Sequence, residues 1–276
     1  MTINLNLLKE VLSVPTVSRH EGIMVEYLTN YLTNKGYDFY IDERMNIYVT
    51  KQTSENVEYF PCVVAHTDTV HSLTSINVRE EMLENAQGEL KLSLKAYDDH
   101  GQPTGIGGDD KAGVFACLTL LDELPDLKVA FFVSEEIGCI GSTHADPEFF
   151  QNVGYAIQFD APENWMVTEY CFGERLFNRD SEFFKSCDVV LKESMTDDLK
   201  YQRHPFTDVY ALRKKFDFSC INLSIGYYDY HSKYEYVVIE DVENGINIGK
   251  KIIESIGNKY HLMVRQNDKT NQFLLF

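Results

Sequence analysis

The sequence predicts an α/β fold in which a mostly parallel, doubly wound sheet is flanked by helices. Four short runs have the near-continuous hydrophobicity of strands covered on both faces, and helical patterns separate them along the chain. No internal repeat, low-complexity tract or linker divides the chain, so we expect a single domain over residues 1–276. The four runs are residues 60–65, 129–133, 155–159 and 220–225.

Two amphipathic helices are predicted at the start of the chain. Apolar residues recur at helical spacing from Leu7 to Leu12 and from Ile23 to Leu32, and Gly36 then gives a stop signal. The remaining patterns predict an exposed strand at residues 38–50, helices at 112–124 and 146–152, and a helix that begins near Asp208.

The composition limits the classes of partner. The 276 residues include 25 Lys and Arg against 43 Asp and Glu, a formal net charge of −18 at pH 7. Nucleic acids and anionic membranes would repel such a chain, so neither is an expected partner. The opening residues lack the features of a secretory signal, and no uncharged apolar run is long enough to span a bilayer. We therefore expect a cytoplasmic protein, whose oligomeric state the sequence does not specify.

The cysteines do not indicate a disulfide framework or a thiolate metal site. They are scattered, and none forms a Cys-x-x-Cys pair. We expect them to act as small buried apolar residues in a reducing compartment. They are Cys62, Cys117, Cys139, Cys171, Cys187 and Cys220.

Side chains that can bind a metal follow each of the four predicted strands within a few residues. In an open α/β sheet the functional crevice lies at the carboxyl ends of the strands, so these side chains are expected to converge there. In chain order they are His66 and Asp68, then Glu135 and Glu136, then Asp160, and finally His231 after a short loop.

A glycine-rich loop, GIGGDDKAG at residues 105–113, leads into the third predicted helix. Glycines let the backbone approach a ligand closely, and carboxylates are favoured at a helix N-terminus. The loop lacks the Gly-Lys-Ser/Thr of a phosphate-binding loop, and Asp109 and Asp110 would repel phosphate. Acidic pairs of this kind are common on solvated surfaces, so the metal-site hypothesis depends on the order of the whole set and its position at strand ends.

Several segments resemble the co-catalytic metallopeptidases of the M20, M28 and M42 families. VVAHTDTV (63–70) is similar to their first metal-ligand motif, GIGGDDKAG to their bridging-aspartate motif, and SEEIGCIGS (134–142) to their base-plus-ligand motif. The opening LLKEVLSVPTVSRHEG (7–22) resembles the start of M20 enzymes, and HSKYE (231–235) the closing histidine segment of M20B and M42 proteins. The resemblance extends along nearly the whole chain.

The resemblance implies two divalent cations, with zinc expected and cobalt or manganese as alternatives. His66 and Asp160 would bind one cation, Glu136 and His231 the other, and Asp109 would bridge both. Imidazole and carboxylate are the ligands zinc prefers besides thiolate, and one anionic bridge can hold two cations about 3.5–4 Å apart.

Two further roles follow from the same resemblance. Glu135 would be the general base, which takes a proton from water and returns it to the leaving amine. Asp68 would orient His66 or its surroundings. The histidines outside these motifs are expected to be ordinary surface or core residues; they are His20, His71, His100, His144 and His261.

The chain departs from M20 enzymes in its length after Asp160. Only 71 positions separate Asp160 from His231, so the usual lid or dimerisation domain is expected to be absent or vestigial within residues 161–219. Arg203 and His204 could replace lid groups that hold a substrate carboxylate, although a solvated basic loop in an acidic protein is the favoured explanation. Trp165 and Phe172 could form a wall of the cleft.

The predicted function is metal-dependent hydrolysis of peptide or related amide bonds. An anionic cleft without a lid favours substrates with a free ammonium group, so an aminopeptidase acting on short peptides is the first hypothesis. The alternatives are a deacylase of N-acyl amino acids, a carboxypeptidase, and a metal-binding scaffold protein without catalysis.

Overall fold

The computed structural model describes residues 3–84, 88–194, 199–204 and 206–263. The helices of this part of the chain are α1 (Leu5–Ser13), α2 (Gly22–Lys35), α3 (Gly108–Glu123), α4 (Ile140–Thr143), α5 (Pro147–Phe150), α6 (Glu182–Ser194), α7 (Asp208–Lys215) and α8 (Ile239–Ile256). The strands are β1 (Asp38–Ile41), β2 (Ile47–Lys51), β3 (Phe60–His66), β4 (Asn77–Glu84), β5 (Leu90–Tyr97), β6 (Pro103–Thr104), β7 (Leu127–Phe132), β8 (Val153–Ala161), β9 (Met166–Cys171), β10 (Glu174–Arg175), β11 (Lys200–His204), β12 (Ser219–Ser224), β13 (Tyr227–Tyr228) and β14 (Tyr236–Val238).

The larger of the two sheets has a parallel centre. Its strand order is β1-β2-β7-β3-β8-β12-β9-β10, and β11 pairs with β9. The pairs β7–β3, β3–β8 and β8–β12 are parallel, whereas the pairs nearer the edges, β1–β2, β2–β7, β12–β9 and β9–β10, are antiparallel. Helices α3 and α7 pack against the central strands. The predicted fold class is confirmed.

The four central strands are the four apolar runs of the sequence. Every residue of β3, β7, β8 and β12 is buried, because helices and loops cover both faces of a parallel sheet. The six cysteines are also buried, and none forms a disulfide. Among the described residues, no helix combines the length and the apolar character needed to cross a membrane.

The prediction of one exposed strand at residues 38–50 was wrong. The segment folds into a hairpin in which β1 and β2 pair antiparallel. A carboxylate oxygen of Asp42 accepts the backbone N–H groups of Arg44 (2.9 Å) and Asn46 (3.0 Å), which closes the turn between them. Since β2 also pairs with β7, its first three residues are buried rather than exposed.

The helix predictions were largely confirmed. Helices α1 and α2 have the expected positions, and Gly36 ends α2 in the left-handed conformation, with φ of 73°. Helix α7 begins at Asp208 as predicted. The helix expected at 146–152 is only one turn long, α5, with Asp146 as its N-cap and Gln151 as its C-cap.

A second, smaller sheet was not predicted. It has the order β13-β14-β5-β4, with β6 paired to β5. The region from 161 to 219 contributes β9, β10, α6, β11 and α7. Because β9, β10 and β11 all belong to the larger sheet, the described part of this region extends that sheet.

Candidate active site

The metal-binding side chains predicted from the sequence meet at the carboxyl ends of the central strands. His66 is the last residue of β3, Asp160 lies near the end of β8, and Asp109 lies in the first turn of α3. Glu135 and Glu136 lie in the loop after β7, and His231 in the loop after β13. The parallel sheet therefore brings together residues that are up to 165 positions apart in the sequence.

Asp109 lies between the two histidines, with one carboxylate oxygen directed to each. Its Oδ1 atom is 3.2 Å from Nε2 of His66, and its Oδ2 atom is 3.2 Å from Nε2 of His231. The predicted bridging residue thus has the two-sided position that a bridge between two cations requires.

Each histidine has a second carboxylate beside it. Oδ1 of Asp160 lies 3.5 Å from Nε2 of His66, and Oε2 of Glu136 lies 3.1 Å from Nε2 of His231. The donor atoms of His66, Asp109 and Glu136 all lie within 4.8 Å of one another. The side chains therefore form two adjoining groups. His66 and Asp160 form one, His231 and Glu136 form the other, and Asp109 contacts the histidine of each.

Burial and close charge shift the pKa values of this cluster. Burial alone would lower the pKa of His66, but Glu135, Asp109 and Asp160 raise it well above its usual range. Burial also raises the pKa values of Glu135 and Asp160 well above those of ordinary carboxyl groups. Carboxyl groups held out of water either take up protons, as these raised pKa values favour, or are balanced by positive charge from protonated histidines or bound cations.

Asp68 holds the loop that carries Glu135 and Glu136. Its Oδ1 atom accepts the backbone N–H of Glu135 (2.9 Å), and its Oδ2 atom accepts that of Glu136 (3.3 Å) and the hydroxyl of Ser18 (2.7 Å). Asp68 also contacts His66. The backbone carbonyl oxygen of Asp68 lies 3.0 Å from Nδ1 of His66, and the Oδ1 atom of Asp68 lies 3.4 Å from the same nitrogen. The side chain of Asp68 thus positions the predicted base loop as well as His66.

Asp110 is a buried neighbour of the cluster that the sequence did not identify as a site residue. Its Oδ1 atom accepts the backbone N–H of Gly113, and its Oδ2 atom accepts that of His66, both at 3.1 Å. A side chain at Gly113 would collide with this carboxylate, because a Cβ atom there would lie 2.1 Å from Oδ1. Asp110 therefore ties the start of α3 to the end of β3.

Glu235 fixes the glycine-rich loop. Its Oε2 atom accepts the backbone N–H of Gly107 (2.9 Å) and lies 2.8 Å from Nε2 of His71, and its Oε1 atom accepts the N–H of Asp109 (3.1 Å). His71 in turn packs directly on Gly105, where a Cβ atom would lie 2.0 Å from its ring. His71, which was expected to be an ordinary surface or core residue, is therefore part of the structure that supports Asp109.

Four residues of the site loops have positive φ angles although none is glycine. Ser134, Cys139, Asp229 and His231 have φ values of 57°, 53°, 50° and 58°. Such conformations cost about 1–3 kcal/mol each and persist where the surroundings enforce them, which is common at functional sites. Here they orient the predicted base loop and a predicted ligand.

Asp208 is a further buried carboxylate behind the cluster. The side-chain amide of Gln158 donates to Asp208 Oδ2 and to Asp160 Oδ2, both at 3.2 Å. Burial raises the pKa of Asp208 to about 6. The sequence predicted that a helix begins near Asp208. It did not predict that Gln158 links Asp208 to Asp160.

The raised pKa of Asp208 predicts a specific pH dependence of stability. The pKa of this carboxyl group is lower in the unfolded chain than in the folded protein. The protonated group therefore contributes to the free energy of unfolding below about pH 4, and this contribution is lost as the pH rises through 6. Relative to Asp208→Asn, the free energy of unfolding of metal-free wild type should fall by about 2 kcal/mol between pH 4 and pH 7. Urea unfolding of both proteins across this range measures the difference; a difference that does not change with pH would contradict the prediction.

Arg203 and His204 lie on β11, which pairs with β9 at the edge of the larger sheet. The guanidinium of Arg203 stacks over the ring of Tyr170, 5.6 Å from its centroid. Burial lowers the pKa of His204, whose Nδ1 atom contacts the carbonyl of Phe206. Their contact with a substrate carboxylate stays a prediction.

Comparisons with known proteins show similarity to peptidases. No family model matches the chain. A peptidase T from Shewanella halifaxensis (strain HAW-EB4) is 31% identical over 131 residues, which cover 37% of this chain and 32% of that relative. A peptidase T from Shewanella woodyi (strain ATCC 51908 / MS32) is 31% identical over 141 residues, 40% of this chain and 34% of the relative. The matching part of the chain thus spans about a third of the length of these relatives.

Solved structures match over more of the chain. The aminopeptidase PepT from Bacillus cereus ATCC 10987 superposes with a TM-score of 0.72 and 14% identity, covering 91% of this chain and 97% of that chain. A tripeptidase from Staphylococcus aureus subsp. aureus mu50 gives a TM-score of 0.67 and 15% identity, covering 91% and 96%. The chain therefore has the fold of these solved peptidases, and part of its sequence is similar to peptidase T.

Proposed function

We propose that the chain is a metal-dependent aminopeptidase that acts on short peptides through two divalent cations. The observation that carries this proposal is the position of Asp109, whose two carboxylate oxygens each lie 3.2 Å from Nε2 of a different histidine. The partial similarity to peptidase T and the shared fold support the same class of reaction.

The donor set fits two divalent cations of the zinc type. His66 and Asp160 would hold one cation, Glu136 and His231 the other, and Asp109 both. Imidazole nitrogen and carboxylate oxygen are the donors that zinc accepts, and a carboxylate-rich set also admits manganese or cobalt. Positive charge at these positions would offset the buried carboxylates, among them Glu135 and Asp160, whose pKa values are raised by burial.

When held by these residues, the cations would supply Lewis acidity that polarises the scissile carbonyl and makes the attacking water more acidic. Glu135 accepts the proton of the attacking water and donates it to the leaving amine. Its carboxylate is well placed for this role, since Oε2 lies 3.8 Å from Nε2 of His66 and the backbone N–H of the same residue is fixed by Asp68. Burial keeps the pKa of Glu135 raised, which favours proton uptake.

The charge of the protein supports a substrate with a free ammonium group. The chain carries a formal net charge of −18, and the cluster itself is rich in carboxylates. A cationic amino terminus is attracted to such a cleft. We propose that the protein lacks a separate lid domain, which would leave the cleft open to small peptides.

The test is a substrate panel for the zinc-loaded protein. Aminoacyl-p-nitroanilides and dipeptides with a free amino group should be hydrolysed, and N-acetylated amino acids should not. Cleavage of the N-acetylated compounds alone would assign the protein to the deacylases. Release of C-terminal residues from peptides whose amino group is blocked would assign it to the carboxypeptidases, and binding of metal without any hydrolysis would leave the scaffold alternative.

Glu235 should control metal affinity although it is not a proposed ligand. Glutamine at this position keeps one acceptor oxygen and places an amide NH₂ against backbone N–H groups or His71. Asp109 would then lose its fixed position, and we expect Glu235→Gln to weaken zinc binding by about 10- to 100-fold. Calorimetric titration of the metal-free protein measures this change.

Glu240→Gln is the matched control, because Glu240 is an exposed carboxylate that pairs with Lys91 on the surface. Its zinc affinity should equal that of wild type. Equal affinities for Glu235→Gln and wild type would show that the contacts of Glu235 do not position Asp109.

A further inference from the structure

A pocket opens next to the proposed base and has no role in the chemistry described above. Its volume is about 530 Å³, within the usual range for sites that bind small molecules. The loop after Glu136, helix α4, the loop after β9, and helix α7 together with Phe206 form its walls. Its lining includes Cys139, Phe172, Phe206, Tyr210, Lys214 and Lys215.

An aromatic cluster forms one wall of this pocket. The ring of Phe172 meets that of Phe206 edge to face at 5.1 Å and lies 5.5 Å from that of Tyr210. Phe172 is nevertheless 60% exposed and Phe206 is 37% exposed. Large apolar side chains that cluster in a concave site and stay accessible to solvent are typical of ligand-binding surfaces.

Cys139 connects the pocket to the proposed reaction centre. Its Sγ atom lies 3.4 Å from Oε1 of Glu135, and the residue is 6% exposed, at the pocket lining. A peptide whose scissile bond lies beside Glu135 would therefore direct an adjacent side chain into this pocket.

Lysines give the far side of the pocket a positive charge. The ammonium of Lys215 donates to the carbonyl oxygens of Ala145 (2.7 Å) and Thr143 (3.4 Å), and within the described residues no carboxylate pairs with it. Lys214 lies 3.6 Å from Glu174 and 3.3 Å from the hydroxyl of Tyr210. The pocket therefore suits a carboxylate.

We propose that this pocket binds an aromatic or large aliphatic residue on the carboxyl side of the scissile bond, with the terminal carboxylate of the peptide near Lys215. The proposal rests on the proposed peptidase function. The preferred substrates are then dipeptides with a free amino group and a large apolar C-terminal residue. The contact of the terminal carboxylate with Lys215 sets their orientation.

The kinetic test compares Ala-Phe, Ala-Ala, Phe-Ala and Ala-phenylalaninamide in wild type, Phe172→Ala and Lys215→Met. Wild type should have the highest kcat/KM with Ala-Phe, by about 10-fold or more over Ala-Ala. Phe172→Ala should remove most of that preference, so that its kcat/KM values for Ala-Phe and Ala-Ala approach each other. Lys215→Met should lower kcat/KM for Ala-Phe towards the value for Ala-phenylalaninamide, which has no terminal carboxylate.

Tyr260→Ala is the control for removal of an exposed aromatic ring. Tyr260 is 41% exposed and lies beside Lys259, which contacts Gly154 at the amino end of β8, away from the site. The control should keep the wild-type preference. Equal effects of Phe172→Ala on all substrates, or a Phe172-dependent preference for Phe-Ala over Ala-Phe, would overturn the proposal.

Binding of L-phenylalanine, followed by saturation-transfer NMR, separates this proposal from the proposed function. If wild type hydrolysed none of the peptides, the peptidase function would fail, and the pocket would still be tested. Binding that is at least fivefold weaker in Phe172→Ala than in wild type would support an aromatic subsite. Equal binding by the two proteins would reject it.

Discussion

Replacement of Glu135 by glutamine is expected to lower kcat for peptide hydrolysis by about 10²- to 10⁴-fold, the usual contribution of a general base. Glutamine has nearly the same shape, and the backbone N–H of residue 135 would still bond to Asp68. The variant should therefore fold and bind metal like wild type but lack the group that accepts the proton of water. Steady-state kinetics with an aminoacyl-p-nitroanilide, together with metal analysis of the same samples, measure both properties.

The control for this variant is Glu148→Gln, which changes an exposed glutamate in the first turn of α5. Its kcat should match that of wild type. If Glu135→Gln kept more than a tenth of the wild-type kcat with its full metal content, another group would have to be the base.

Replacement of Asp109 by alanine is expected to abolish binding of both cations, because both proposed sites share this residue. Removal of Asp160 should affect mainly the site that contains His66, so Asp160→Ala is expected to keep one cation per chain. Calorimetric titration of the metal-free variants with zinc gives the number of sites in each. The contrast between the two variants distinguishes a bridging carboxylate from an ordinary ligand.

The two variants also differ in their contacts outside the cluster. The backbone N–H of Asp109 donates to Glu235, while the main chain of Asp160 bonds to the side chain of Asn222. Alanine retains both sets of main-chain bonds, so each variant should fold, which circular dichroism can check. Loss of only one cation in Asp109→Ala would contradict the bridging role.

The parallel centre of the fold could be predicted because its sequence signal is strong and local. Strands covered on both faces are continuous apolar runs, as β3, β7, β8 and β12 are. The strand β4, in contrast, is largely exposed and carries charged residues among its apolar ones, so no buried run indicates it. Helix α8 was also missed, although Ile239, Val242, Ile246 and Ile253 recur at helical spacing and are buried.

Four of the proposed ligands could be identified because each follows a recognisable strand, and Asp109 because it lies in a glycine-rich loop. The residues that support them could not be identified. Glu235 lies 126 positions from Asp109, whose N–H it accepts, and nothing in the sequence pairs them. Gln158 is an interior residue of β8, and its contact with Asp208 is a product of tertiary packing. Contacts of this kind depend on which loops the sheet places side by side, and sequence periodicity carries no such information.

The most direct test of two cations bridged by Asp109 is anomalous diffraction from crystals of the zinc-loaded protein. We expect two zinc peaks about 3.5–4 Å apart, one beside His66 and Asp160 and the other beside Glu136 and His231, with Asp109 between them. A single peak, or peaks that do not contact Asp109, would contradict the dinuclear site and the mechanism that depends on it.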